Sequence, residues 1–346
     1  MMLRLAVVSA CAALTLLRPQ IVIADDVVTL KFDWPNAVKA KVTLEQTIIT
    51  ESDGKKHIVE GTATYMFEAA PMADQWLITT TDHRNVTRSY DGQPMNKLDQ
   101  WLPYSEQLIP LSQKTNKWAY LVSKEGTFIG LHDFIGAYCE DEPVRRLHLG
   151  DDSEKQESIA KCRKDAEQNE DSLRSYVQQR AYNQAGQDWL RIAGLWAGTE
   201  MVEHEIYESS TSLTTDESSE SVLALANTSK LIGRFPCNQT GADANCVRVE
   251  SVELLDTGDE PRPLMEALDI LLPALAQERK GPDFTKGTLR RRTETHLVTD
   301  PATLLPHWVE EFETVSVTMT LYNLGEPSTT SITAHRIWRY EYEQPN

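Results

Sequence analysis

Val38-Lys39-Ala40-Lys41-Val42-Thr43-Leu44-Glu45-Gln46-Thr47-Ile48 is the stretch that decides how this chain folds. Val38, Ala40, Val42, Leu44, Gln46 and Ile48 recur at every second position and are mostly apolar, while Lys39, Lys41, Thr43 and Glu45 fill the gaps. A period of two belongs to a β-strand, so one set of side chains faces a core and the other faces water. Ser52-Asp53-Gly54 then supplies residues that tolerate positive φ. A second alternating run follows, with Val59, Ala63, Tyr65 and Phe67 on one face and Glu60, Thr62, Thr64 and Glu68 on the other. Two such runs joined by a tight turn read as an antiparallel hairpin.

Outward from this hairpin the pattern continues. Trp76 to Thr81 and Val86 to Tyr90 read as two shorter strands, the second ending at Asp91-Gly92. Ala119 to Ser123 and Thr127 to Leu131 read as a hairpin turning on Lys124-Glu125-Gly126. From about Glu154 to Gln184 the chain becomes charged and helical, with Leu173, Tyr176, Val177 and Ala181 spaced to share one thin face. Gly186 breaks that run before the more apolar Trp189 to Trp196.

The last part returns to strands at Glu203 to Tyr207, Val222 to Ala226, Val247 to Leu254, Thr288 to Thr299, Phe312 to Tyr322 and Thr330 to Tyr342. Val315, Val317, Met319 and Leu321 alternate with Ser316, Thr318 and Thr320. Ser209 to Ser221, rich in serine and threonine, reads as a loop or a long hairpin tip. One apolar helix, Pro263 to Gln277, carries Leu264, Leu268, Leu271, Leu272 and Leu275 on a stripe, with Pro273 marking a bend or its final turn. This order lacks β-α-β alternation and predicts an α+β fold of long antiparallel sheets with a central charged helix and one apolar helix. The expected divisions are a signal peptide over 1–24, a β-rich part over 25–135, a helical segment over 136–198 and a second β-rich part over 199–346.

Met1 to Arg4 is a short basic region, Leu5 to Leu17 is apolar, and Val22-Ile23-Ala24 before Asp25 fits signal-peptidase cleavage. Val8-Ser9-Ala10-Cys11 has the order of a lipobox, which would lipidate Cys11. The apolar core before that cut would be only Leu5 to Ala10, so a cleaved peptide and a periplasmic or secreted chain are the expectation. Arg18-Pro19-Gln20 interrupts the apolar run well short of the roughly 20 residues that span a bilayer. Without residues 1–24 the 34 basic residues lose Arg4 and Arg18, leaving 32 against 52 acidic ones, or −20. So acidic a surface repels nucleic acid, which is not an expected partner.

Cys139, Cys162, Cys237 and Cys246 remain, and four cysteines allow three pairings. Local pairing, Cys139 with Cys162 and Cys237 with Cys246, is expected because each pair brackets a short polar stretch. On the chain-entropy argument the two bridges contribute about 3.4 and about 2.7 kcal/mol. No C-x-x-C or His-Cys spacing supports zinc, and no metal or cofactor is expected.

Catalytic signatures are equally sparse. There is no G-x-S-x-G, H-E-x-x-H or P-loop. His204 lies between Glu203 and Glu205, but a strand would point it away from both. Asp300 and His307 could meet across a turn as an acid–base pair, yet Asp300-Pro301 is an ordinary turn opener joining two strands. No catalytic residue is assigned, and a hydrolase is the least favoured reading. Arg290, Arg291 and Arg292 form the densest basic cluster. Arg290 and Arg292 share a strand face, Arg291 points the other way, and Arg336 shares a face with Trp338 and Tyr340. Arg290, Arg292 and Arg336 are therefore the candidates for an anion site, with pairing to surplus acids as the alternative. Asn85-Val86-Thr87, Asn227-Thr228-Ser229 and Asn238-Gln239-Thr240 match the glycosylation pattern.

The strands at Val38 to Ile48, Val59 to Phe67 and Val315 to Leu321, with the helix at Leu264 to Leu275, resemble envelope half-barrels of the outer-membrane lipoprotein carrier type. The resemblance is one of architecture and export. It implies a curved sheet wrapped around one or more helices, leaving an apolar cleft for acyl chains. Leu264, Leu268, Leu271 and Leu275 would line or plug that cleft, with ordinary core packing as the alternative. The expected function is non-enzymatic binding of an apolar or lipid-like ligand. A structural or assembly factor contacting an envelope protein partner through strand edges or Ser209 to Ser221 is the second expectation.

Overall fold

A computed structural model describes residues 27–34, 36–52, 54–94, 119–132, 135, 139, 152–168, 186–213, 223–237, 245–258, 284–321 and 327–343. Val38 to Ile48 behaves as its alternation requires. Val38, Ala40, Val42, Leu44, Gln46 and Ile48 are all buried, and the strand they form, β2, runs Val38–Ser52. The short β1 is Val27–Thr29. After β2 come β3 (Lys55–Pro71), β4 (Gln75–Tyr90), β5 (Gln93–Pro94), β6 (Tyr120–Ser123) and β7 (Phe128–Leu131). Helix α1 is Asp152–Gln168, and a short helical turn, α2, is Gln187–Trp189 continuing as a π-helical turn over Leu190–Gly194. Then follow β8 (Glu200–Val202), β9 (Ile206–Leu213), β10 (Leu223–Phe235) and β11 (Cys246–Asp256). The chain ends in three long strands, β12 (Phe284–Thr299), β13 (Pro306–Leu321) and β14 (Pro327–Tyr342).

These strands assemble into one antiparallel sheet of 12 strands in the order β7-β6-β4-β3-β2-β14-β13-β12-β11-β10-β9, with β5 hanging on β4. β14 pairs with β2 from Thr330↔Ser52 to Tyr342↔Ala40, so both strand-rich parts of the chain share one sheet. Among the described residues the sheet is not closed, and its outermost strands are β7 and β9. β1 and β8 form a separate two-stranded ribbon.

The expected long antiparallel strands are present, and among the described residues the architecture is mostly β, with a helix at Asp152–Gln168 inside the expected charged segment. Two strand-level expectations need correction. Trp76 to Thr81 and Val86 to Tyr90 are not two strands but one, β4. Its pairing with β3 shifts register between Thr62 and Thr64 and again between Thr64 and Met66, so irregularities absorb the weak middle without ending the strand. Of the Ser209 to Ser221 stretch, expected as a loop or a long hairpin tip, Ser209 to Leu213 is strand, the outer half of β9, paired with β10 up to Leu213↔Leu223 in a long hairpin. The apolar helix over Pro263 to Gln277, with Leu264, Leu268, Leu271 and Leu275, lies outside the described residues. So do Leu173, Tyr176, Val177 and Ala181, and the whole of residues 1–26.

The main core lies on the sheet face that carries Val38, Ala40, Val42 and Leu44. There Phe67, Tyr340, Trp338, Val309, Leu297, Val249 and Leu231 pack with Trp189, Ile192 and Ala193 of α2, together with Leu30, Trp34 and Met201. Trp34 is central. Its ring meets those of Phe67, Trp76 and Trp189 edge-on at 6.0, 5.6 and 5.7 Å. Edge-to-face aromatic pairs contribute roughly 0.5–1.5 kcal/mol each beyond their burial. Trp189 is fixed by donating its indole N–H to the Gly126 carbonyl at 2.7 Å. That turn demands glycine, because Gly126 has φ +89 and a Cβ there would lie 2.8 Å from the Ala197 Cβ.

Two disulfides, Cys139–Cys162 and Cys237–Cys246, take the local pairing. They fit folding in an oxidising, exported compartment. Among the described residues no helix is long and apolar enough to cross a membrane.

Candidate functional site

β13 carries its chemistry on the core side. Glu311 and Glu313 stand in phase with Val309 and Val317, so the pleat that buries those valines turns two carboxylates the same way. The register then supplies their surroundings. Arg336 on β14 lies opposite Glu311, and Thr293 on β12 lies opposite Glu313. Glu253 on β11 is opposite Thr293, and Asn227 on β10 is opposite Glu253. Arg291 shares this face of β12, between Val315 and Leu255 on the neighbouring strands. Arg191 comes from the π-helical turn, with its guanidinium over the Trp338 ring at 4.4 Å from the centroid.

These groups form a ladder of alternating charge. Arg191 Nη2 donates to Asp188 Oδ1 at 2.9 Å and Arg191 Nε pairs with Glu311 Oε2 at 2.8 Å. Arg336 Nη1 donates to Glu311 Oε1 at 2.6 Å and to Glu313 Oε2 at 2.9 Å. Arg291 Nε donates to Glu313 Oε1 at 2.8 Å, and its Nη1 lies 3.4 Å from Glu253 Oε1. The Glu311, Arg336 and Arg291 side chains keep only 8, 11 and 13% of their surface exposed. At that depth an unpaired charge costs several kcal/mol, and only mutual pairing and further hydrogen bonds offset it. Burial by itself would raise the Glu313 carboxyl, but Arg291 and Arg336 together outweigh it and hold the group down at about 2. At the ladder's end the balance reverses: burial lifts the Glu253 carboxyl above its ordinary range against the pull of Arg291.

The ladder divides the core face into zones. On one side lies the aromatic and aliphatic core of Leu44, Trp338, Val309 and Leu297; on the other lie Ile48, Ala334 and Val59, with Leu289 and Leu255 further along the sheet. Between them sit the charged groups with buried Gln46, Ser251, Thr293 and Thr295. Three polar atoms of this belt are buried without a hydrogen-bond partner: Thr293 Oγ1, Asn227 Oδ1 and Arg336 Nε.

The structure divides the expected anion-site trio. Arg290 and Arg292 stand on the opposite face, bonded to Asp256 at 3.0 Å and Glu294 at 2.8 Å. Arg336 is on the core face with Arg291, and the pleat keeps both apart from Arg290 and Arg292. All are matched by carboxylates, so the three do not form an anion site together. His204 is also placed differently from its strand expectation. It sits in a turn with φ +67, and its Nε2 lies 3.4 Å from Glu203 Oε1, both side chains well exposed.

Asp300 opens the turn into β13, its Oδ1 accepting from the Ala302 N–H at 2.7 Å. His307 packs edge-on against Tyr342, and burial lowers its pKa against the opposing field of Asp300. A ring nitrogen of His307 lies within 4.8 Å of the sulfurs of Cys237 and Cys246. Those sulfurs are bonded to each other, so this is a packing contact on a disulfide and not a ligand set. Asn227, one of the glycosylation matches, is half-buried, with its Oδ1 buried and without a hydrogen-bond partner. The Asn85 side chain and Asn238 lie outside the described residues.

Residue-by-residue reading of the sequence missed Glu311, Glu313, Arg291, Arg191 and Glu253 as one unit. One signal was there: the series Val315, Val317, Met319 and Leu321, continued backwards in steps of two, meets Glu313, Glu311 and Val309.

No protein-family profile matches the chain, and no curated protein matches it. Among solved structures, the crystal structure of Pseudomonas aeruginosa OccK5 (OpdH) is similar at 7% identity and a TM-score of 0.24, covering 90% of this chain and 100% of that one. A likeness that weak assigns neither fold nor function.

Proposed function

We propose that this is an exported, non-enzymatic binding protein that holds an amphipathic, lipid-like ligand against the core face of its long sheet. The observation that carries the reading is the belt: buried polar atoms without partners, set between two apolar zones on one face of a sheet that is unclosed among the described residues. A buried polar group left unpaired costs about 1–3 kcal/mol, and such groups in folded proteins are met by water or by a ligand. Apolar lining with a few polar groups is also the ordinary make-up of small-molecule sites. The half-barrel arrangement and the cleaved signal peptide of a periplasmic or secreted chain belong to the same proposal, and the two disulfides support its exported setting.

Uptake of N-phenyl-1-naphthylamine, a neutral apolar fluorophore, tests it. Saturable fluorescence enhancement that long-chain amphiphiles displace supports the proposal, and no enhancement with folded, disulfide-intact protein refutes it.

A second reading, an assembly factor that recruits an envelope protein by strand addition, is favoured by β9. Among the described residues this strand pairs only with β10, and Ile206 on it is 63% exposed. Crosslinking in cells that returns only monomer argues against it.

A further inference from the structure

We infer that the belt selects an uncharged, polyhydroxylated head group, such as the sugar or glycerol end of a neutral amphiphile, at the row Asn227, Glu253 and Thr293. The inference rests on the proposed binding function and adds the chemistry of the ligand's polar end.

Asn227, Glu253 and Thr293 are register partners on β10, β11 and β12, and Glu313 continues the row on β13. Two strand spacings separate Asn227 from Thr293, about 9–10 Å between Cα atoms. One sugar ring with its hydroxyls bridges that span once both side chains reach inward. Thr293 is 8% exposed, and its hydroxyl, which can donate or accept, has no partner. Asn227 Oδ1 offers an acceptor and Arg336 Nε a donor, both buried and unused. A mixed set of free donors and acceptors matches hydroxyl groups, each of which does both.

Charged head groups fit less well. The ladder holds Asp188, Glu253, Glu311 and Glu313 against Arg191, Arg291 and Arg336, one more carboxylate than guanidinium. An anionic head group would meet arginines already engaged by carboxylates. A cationic one would meet Glu311 and Glu313, each already bonded to two arginines, and Glu253, whose charge burial disfavours.

The test compares three amphiphiles of equal chain length below their micellar concentrations: an alkyl glucoside, an alkyl sulfate and an alkyltrimethylammonium. Affinity is read by displacement of N-phenyl-1-naphthylamine from the full, disulfide-intact protein. The glucoside is expected to bind at least about tenfold more tightly than either charged amphiphile. Thr293→Val and Asn227→Leu each weaken the glucoside about fivefold, one hydrogen bond's worth, and weaken the two charged amphiphiles by less. Thr293→Ser, which keeps the hydroxyl, restores it. If the fluorophore binds but the three head groups compete equally, the inference is wrong and the proposed function stands. If the fluorophore does not bind, both are wrong.

Discussion

Glu311 on β13 and Arg336 on β14 face each other across the sheet and meet at 2.6 Å, with 8 and 11% of their side chains exposed. Neither could stand there alone. The pair defines the character of the core face, where a conventional apolar interior is cut across by a charged belt.

Removing one member should therefore be severe. Glu311→Ala leaves Arg191 and Arg336 short of a counter-charge and is expected to cost about 3–5 kcal/mol in urea unfolding. Replacing both members with apolar residues of similar size, Glu311→Leu with Arg336→Met, should recover part of that loss, because the pair's own desolvation penalty disappears while Arg191 keeps Asp188 and Glu313 keeps Arg291. A double variant as unstable as the single one would contradict the belt's description as a mutually compensated network.

Acid should find the same network. Glu313 has a folded pKa of about 2 against an ordinary 4.5, so its ionised form favours the fold above about pH 4.5. That contribution is lost as the pH falls from about 4.5 toward 2. Unfolding free energy measured across this window should drop more steeply for the parent than for Glu313→Gln, which has no carboxylate to titrate. Parallel pH profiles would show that Glu313 is not held ionised by Arg291 and Arg336.

How much of this was legible beforehand depends on the side chain. The period of two from Val38 to Ile48 named the buried set correctly, including Gln46, because burial on a pleat follows parity alone. Lys124-Glu125-Gly126 marked its hairpin through the positive φ that only glycine takes easily, and spacing found both disulfides. β9 was hidden because Ser209 to Leu213 lacks the apolar alternation that an outermost strand does not need. The belt was hidden for a different reason. Glu311, Glu313, Arg291 and Arg336 look like a solvated face one strand at a time, and only cross-strand register, which no local pattern encodes, brings them together.

The turn at Gly126 gives a sharper local test. Gly126→Ala forces a side chain into φ +89 and against Ala197 and Phe32, and disturbs the carbonyl that receives the Trp189 N–H. A loss of about 2–4 kcal/mol is expected from backbone strain and overpacking together. The change should be visible as altered tryptophan fluorescence in the folded state.

Peptide mapping under non-reducing conditions should join Cys139 to Cys162 and Cys237 to Cys246, with no crossed species. Replacing both Cys237 and Cys246 with serine is expected to cost about 2–5 kcal/mol, since the bridge ties the end of β10 to the start of β11. A cost near zero would mean that His307 and its neighbours hold that corner without it.

Native mass spectrometry of protein purified from its own compartment bears most directly on the binding function. The account predicts the mass of an oxidised chain with two disulfides plus an adduct of lipid-like size, released by organic extraction and identifiable as a neutral hydroxylated amphiphile. A bare chain, with no adduct before extraction and no uptake of an alkyl glucoside after it, would contradict it.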